Sequence, residues 1–193
     1  MDQFWFYIKL GLTHVLDLKA YDHILFLIAL TIPFVFKDWK RILWLVTVFT
    51  IGHTLSLILS VYNVVRVNSN LVEFLIPITI LVTALFNIFT AGKGARKEKL
   101  GLTFFVTLFF GLIHGLGFSS GFKNMVPSNE SKMFPLLEYS FGIEIAQVII
   151  VFLVLIIGFI VQTIFRFNKR DWIMIISSII IGLVIPMLGR IWN

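Results

Sequence analysis

Four histidines, His14, His23, His53 and His114, stand in a chain without cysteine, and each lies inside or beside a long apolar run. Without thiolates a metal site is restricted to His, Asp, Glu and amide ligands. Imidazoles joined by a carboxylate suit a borderline divalent transition ion such as Ni, Zn or Co, whereas a hard cation would demand more oxygen ligands. Asp22 directly precedes His23. Adjacent residues on a helix diverge by about 100°, so both reach one ion only if a helix begins there. Otherwise one ligates and the other supports it, because a ligating His usually donates its second N–H to a carboxylate or carbonyl. Ser140, Glu144 and Gln147, spaced four and three apart, share one helical face. Other chemistries lack their residues. There is no helical His-Glu-x-x-His and no nucleophile elbow, and Gly92-Lys-Gly-Ala-Arg lacks the spacing and trailing Ser or Thr of a phosphate loop.

The elements that must position these residues are dictated by solvent. The 193 residues are 59% hydrophobic and only 13% charged, with a mean hydropathy of +0.98, whereas soluble domains carry about 25% charge. The bilayer is therefore the solvent. A net charge of +6 does not indicate nucleic acid, because the basic residues fall in short clusters between apolar spans. Crossing about 30 Å of hydrocarbon takes roughly 20 helical residues. Trp39 to Val61, Leu71 to Ala91, Leu100 to Phe118, Leu137 to Phe165 and Trp172 to Ile191 are long enough, and Asp22 to Phe36 spans if its polar start sits at the interface. Phe4 to Leu18 is shorter and includes Lys9, His14 and Asp17. The expectation is an all-α integral membrane protein, one transmembrane bundle over residues 1–193, with six transmembrane helices plus a short N-terminal helix as a seventh, half-inserted or interfacial element. The N-terminus does not resemble a removable signal peptide.

Loop charges orient the bundle. Lys37, Lys40 and Arg41 follow the first span, Arg66 the second, and Lys93, Arg96, Lys97 and Lys99 the third. Lys123 and Lys132, offset by Glu130, follow the fourth; Arg166, Lys169 and Arg170 follow the fifth; and Arg190 stands at the end. This alternation predicts cytoplasmic first, third and fifth loops. All four histidines, with Asp22, Glu73, Glu144 and Gln147, then share the outer half of the membrane. Glu73 and Glu138 fit ordinary solvated helix ends. Gly111 and Gly115, spaced for close helix approach, would press His114 into the bundle. Any one of these histidines alone is as readily a hydrogen-bonded packing residue. Their shared depth instead points to one polar site comprising His14, Asp22, His23, His53, His114 and Glu144, with Gln147 and Ser140 supporting.

Four stretches resemble the HupE/UreJ family of bacterial membrane proteins, which is associated with nickel uptake and with hydrogenase and urease operons. Gly11-Leu-Thr-His14 followed by Tyr21-Asp22-His23-Ile-Leu-Phe26 is similar to its first histidine and Asp-His signature. Phe49-Thr-Ile-Gly-His53, Phe110-Gly-Leu-Ile-His114-Gly-Leu-Gly-Phe118 and Phe141-Gly-Ile-Glu144-Ile-Ala-Gln147 resemble the later motifs. Seven residues separate His14 from Asp22 here, where the family usually has five, and the chain looks closer to the broad branch than to the nickel permeases. The resemblance implies a multi-pass bacterial inner-membrane protein whose partners are a metal ion and the lipid bilayer, with no nucleic acid. The leading expectation is a divalent-metal permease with a site open to the extracytoplasmic side. The alternative is an intramembrane metal-dependent hydrolase or transferase acting on a lipid-linked substrate at the outer leaflet. A structural subunit is the third reading.

Overall fold

The computed structural model describes residues 2–92, 100–125 and 131–192. These form eight helices: α1 (Asp2–Leu16), α2 (Asp22–Thr31), α3 (Trp39–Val61), α4 (Ser69–Thr90), α5 (Leu100–Gly117), α6 (Ser119–Met125), α7 (Met133–Thr163) and α8 (Lys169–Trp192). A 3-10 turn, Phe36–Asp38, precedes α3. Four stretches, Phe36–Val61, Ser69–Thr90, Met133–Thr163 and Lys169–Gly189, are long and apolar enough to cross a bilayer. Asp22–Thr31 and Gly101–Gly117 are shorter apolar helices. The third-loop charges Lys93, Arg96, Lys97 and Lys99, and Glu130, lie outside the described residues. Large apolar side chains such as Trp44, Phe89, Phe105 and Phe159 face outward, as a lipid solvent requires and water would penalise.

The first expected span, Asp22 to Phe36, is helical only to Thr31. Ten residues rise about 15 Å, half a bilayer. Pro33 is the physical reason, because it has no N–H to donate to the carbonyl of Ala29 and cannot continue the helix. The freed carbonyl accepts instead from Asn87 Nδ2 at 2.7 Å, on the buried face of α4. The preceding helix, α1, packs on α7. Gln3 lies with Pro135 and Glu138 near the start of α7, and a Cβ on Gly11 would strike the backbone of Tyr139 and Ile143. So α1 runs beside the first part of α7 and in the same direction. Phe34, Val35 and Phe36 then lie beside Leu155, Gly158 and Phe159, far along α7. The chain thus follows the length of α7 in two helical pieces, with a break from Asp17 to Tyr21 between them.

Small residues bring α3 and α5 together. A Cβ on Gly111 would collide with the carbonyl oxygen of Phe49, and one on Gly115 with that of His53, so no larger residue permits this backbone approach. Against α7, α3 presents hydroxyls: Thr54 Oγ1 donates to Ser140 Oγ at 2.8 Å, and Thr47 Oγ1 donates to Glu144 Oε1 at 2.6 Å. Apolar packing fills the remainder, with Phe26, Phe49, Leu57, Ile80 and Leu136 fully buried.

Candidate metal centre

Each histidine is delivered by a different helix. His14 is in the last turn of α1. His23 is the second residue of α2, His53 lies in the second half of α3, and His114 is near the end of α5. The Asp17–Tyr21 break is what lets His14 and His23 face one another, because two ends of one continuous helix could not. Their rings meet edge to face, with centroids 4.8 Å apart. His23 lies 5.8 Å from His53 and 5.1 Å from His114, and His14 lies 6.2 Å from His53. The longer spacing between His14 and Asp22 therefore leaves His14 inside the cluster.

Donor atoms fall into two overlapping groups that share His23. His14, His23 and His53 can each offer a ring nitrogen with all three within 4.8 Å of one another, and Asp22, His23 and His114 form a second set within the same limit. Two ligands at about 2.1 Å from one ion lie at most about 4.2 Å apart. Drawing in by less than about an ångström closes either group on a metal.

Hydrogen bonds fix which nitrogens are free. Thr79 Oγ1 gives its hydrogen to the Ile76 carbonyl at 2.7 Å, so it accepts from His114 Nε2 at 3.0 Å. That leaves His114 Nδ1 with its lone pair bare. Asp22 Oδ1 lies 3.3 Å from His23 Nδ1 and also accepts the His23 backbone N–H at 2.9 Å. The helix does begin at Asp22, where its positive end favours a carboxylate. With Nδ1–H turned to Asp22, His23 Nε2 is the free atom. His14 Nε2, His23 Nε2, His114 Nδ1 and both nitrogens of His53 are buried without a hydrogen-bond partner. Buried polar atoms are normally paired, so four imidazoles brought together in this state, each with one lone pair to offer, fit a bound cation. Their surroundings are apolar and aromatic: Phe118 stands 4.3 Å from His14, and Phe49 and Phe26 stand 5.2 and 5.3 Å from His114.

Glu144 is in neither donor group, and it, Gln147 and Ser140 engage α3. Glu144 Oε1 accepts from Thr47, Thr50 Oγ1 lies against both Glu144 Oε2 and Gln147 Oε1 (2.8 Å from the latter), and Thr54 donates to Ser140. Sequence reasoning missed Thr47, Thr50 and Thr54, although their spacing of three and four mirrors that of Ser140, Glu144 and Gln147. It also missed Tyr139, whose buried hydroxyl has no partner and whose ring stacks on Phe118. Thr79 gave no signal, because a threonine beside a proline in an apolar span is unremarkable.

No curated protein and no solved structure matches the chain. A family model described as HupE / UreJ protein matches residues 1–189. That match covers nearly the whole chain, including all four helices that carry the histidines, and the protein belongs to the HupE/UreJ family.

Proposed function

We propose that the protein is a permease for a divalent transition-metal ion of the nickel and cobalt type, and that His14, His23, His53 and His114 bind that ion as substrate. The observation that carries this reading is the convergence of four imidazoles from four helices, each with a buried, unpartnered ring nitrogen. Asp22 and Thr79 hold two of the rings in the ligating tautomer, as carboxylates and hydroxyls commonly do around metal-bound histidine. Membership of a family associated with nickel and cobalt transport supports the choice of cargo.

The interrupted first crossing supports transport over a purely structural role. Transporters commonly place their substrates where a membrane helix is broken, and the break here sits between His14 and His23. Counting α1 and α2 as one crossing gives six, with α3, α4, α5, α7 and α8. Loop charges then put the start of α7, and with it the N-terminus of α1, on the extracytoplasmic side of the inner membrane. The imidazoles lie nearer that side.

Uptake into proteoliposomes holding the purified protein tests the reading. Wild-type protein should accumulate nickel or cobalt, each competing with the other, and His114→Ala should abolish uptake while the protein still inserts. Equal uptake by both proteins contradicts it. Stoichiometric metal with turnover of a lipid-linked substrate and no uptake would instead favour an enzyme.

A further inference from the structure

The contact between α3 and α7 carries a second polar group that the imidazole cluster does not use. Thr47 donates to Glu144 Oε1, while Thr50 Oγ1 lies against three oxygens at once: Glu144 Oε2, Gln147 Oε1 at 2.8 Å and the Val46 carbonyl at 3.2 Å. A hydroxyl owns one hydrogen, so at most one of these three contacts is a bond donated by Thr50. Gln147 is fully buried, and its Nε2 has no partner. Among the described residues no cation lies within ion-pair distance of Glu144. A polar seam that only glued two helices would satisfy its donors and acceptors. This one has an excess of oxygen lone pairs and an uncompensated carboxylate.

We propose that Thr47, Thr50, Glu144 and Gln147 form a second cation station, built from oxygen donors and separate from the imidazoles, that takes up one small monovalent cation, a proton or a sodium ion. A proton links the oxygens around Thr50. Glu144 Oε2 becomes an O–H and donates to Thr50 Oγ1, which releases the Thr50 hydrogen to Gln147 Oε1, and the carboxylate charge is cancelled. With sodium, the two threonine hydroxyls, the carboxylate and the glutamine carbonyl supply hard oxygen ligands to the same position. The imidazoles cannot substitute for this station, since they favour borderline divalent ions.

The elements packed around the station bring Lys9 and His14 on α1, Asp22 and His23 on α2, Lys37 and Asp38 in the 3-10 turn, Lys40, Arg41 and His53 on α3, His114 on α5, Lys123 on α6, Glu138 on α7 and Lys169, Arg170 and Asp171 at the start of α8. His53 stands one helical turn from Thr50, on the same helix. An ion bound at one station is therefore felt at the other, and the station would couple metal movement to a proton or sodium gradient. The coupling rests on the transport reading above, whereas cation binding at Glu144 does not.

Difference infrared spectroscopy of the purified full-length protein in lipid, without added transition metal, tests the station directly. In wild type, the carbonyl stretch of a protonated carboxylic acid should differ between alkaline and acidic buffer. It should be missing in Glu144→Gln and shifted in Thr50→Val. Displacement of that band by sodium but not by potassium at fixed pH identifies sodium as a ligand, and insensitivity to both identifies the proton. A band absent at every pH, present and unchanging, or identical in Glu144→Gln overturns the station. Nickel binding by Glu144→Gln gives an independent check: affinity within about twofold of wild type is expected, and a tenfold loss matching that of His53→Ala would return Glu144 to the metal site. Failure of wild type to bind nickel would sink the permease reading and leave the infrared result standing.

Discussion

At the scale of single residues, what distinguishes the four histidines from packing residues is the state of their second nitrogens. His114 is held by a threonine whose own hydrogen is committed to the Ile76 carbonyl. Thr79→Val should leave His114 in place and release its tautomer. Loss of such an outer partner typically weakens metal binding 10–100-fold, so equilibrium dialysis should show a fall of that order, with Thr79→Ser largely restoring it. Asp22→Asn should act in the same way through His23, because an amide accepts the ring N–H less strongly than a carboxylate. If either variant binds metal as wild type does, its residue is not orienting a ligand. Much of this level was legible in the sequence, since only imidazoles and carboxylates in a thiol-free apolar chain can hold a transition ion. Thr79 was not, because its role depends on the approach of α4 to α5, which no local pattern records.

At the scale of elements, the bundle depends on close backbone approach and on one compensated break. Gly115 faces the carbonyl of His53 and the hydroxyl of Ser56. Gly115→Leu should push α5 from α3, costing at least the 1–3 kcal/mol typical of overpacking and moving His114 away from His23. Thermal melting in detergent should fall, and metal binding should fall with it. Asn87→Leu should remove the donor to the Ala29 carbonyl that Pro33 leaves free, a loss of about 1–3 kcal/mol, again read as a lower melting temperature. The sequence made the Gly111 and Gly115 pair legible through its spacing. It did not reveal that α1 and α2 follow α7 as two pieces, because hydropathy averages over the Asp17–Tyr21 break and Pro33 lies within the apolar run. The polar face of Ser140, Glu144 and Gln147 was readable from its spacing, but its pairing with Thr47, Thr50 and Thr54 of α3 was not.

At the scale of the whole molecule, cysteine is absent, so single cysteines can report sidedness without background. Asn63→Cys and Gln3→Cys should react with a membrane-impermeant thiol reagent from the extracytoplasmic side, and Lys37→Cys only after the membrane is opened. The reverse pattern would invert the proposed direction of entry while leaving the site intact. The site itself answers to a simpler quantity, the metal bound by the purified chain. Wild-type protein dialysed against nickel or cobalt should retain about one ion per chain, and His23→Ala, which removes the residue shared by both donor groups, should retain none at the same free concentration while keeping its helical content. A wild-type chain that retains no ion, or a His23→Ala chain that retains as much as wild type, would contradict the account.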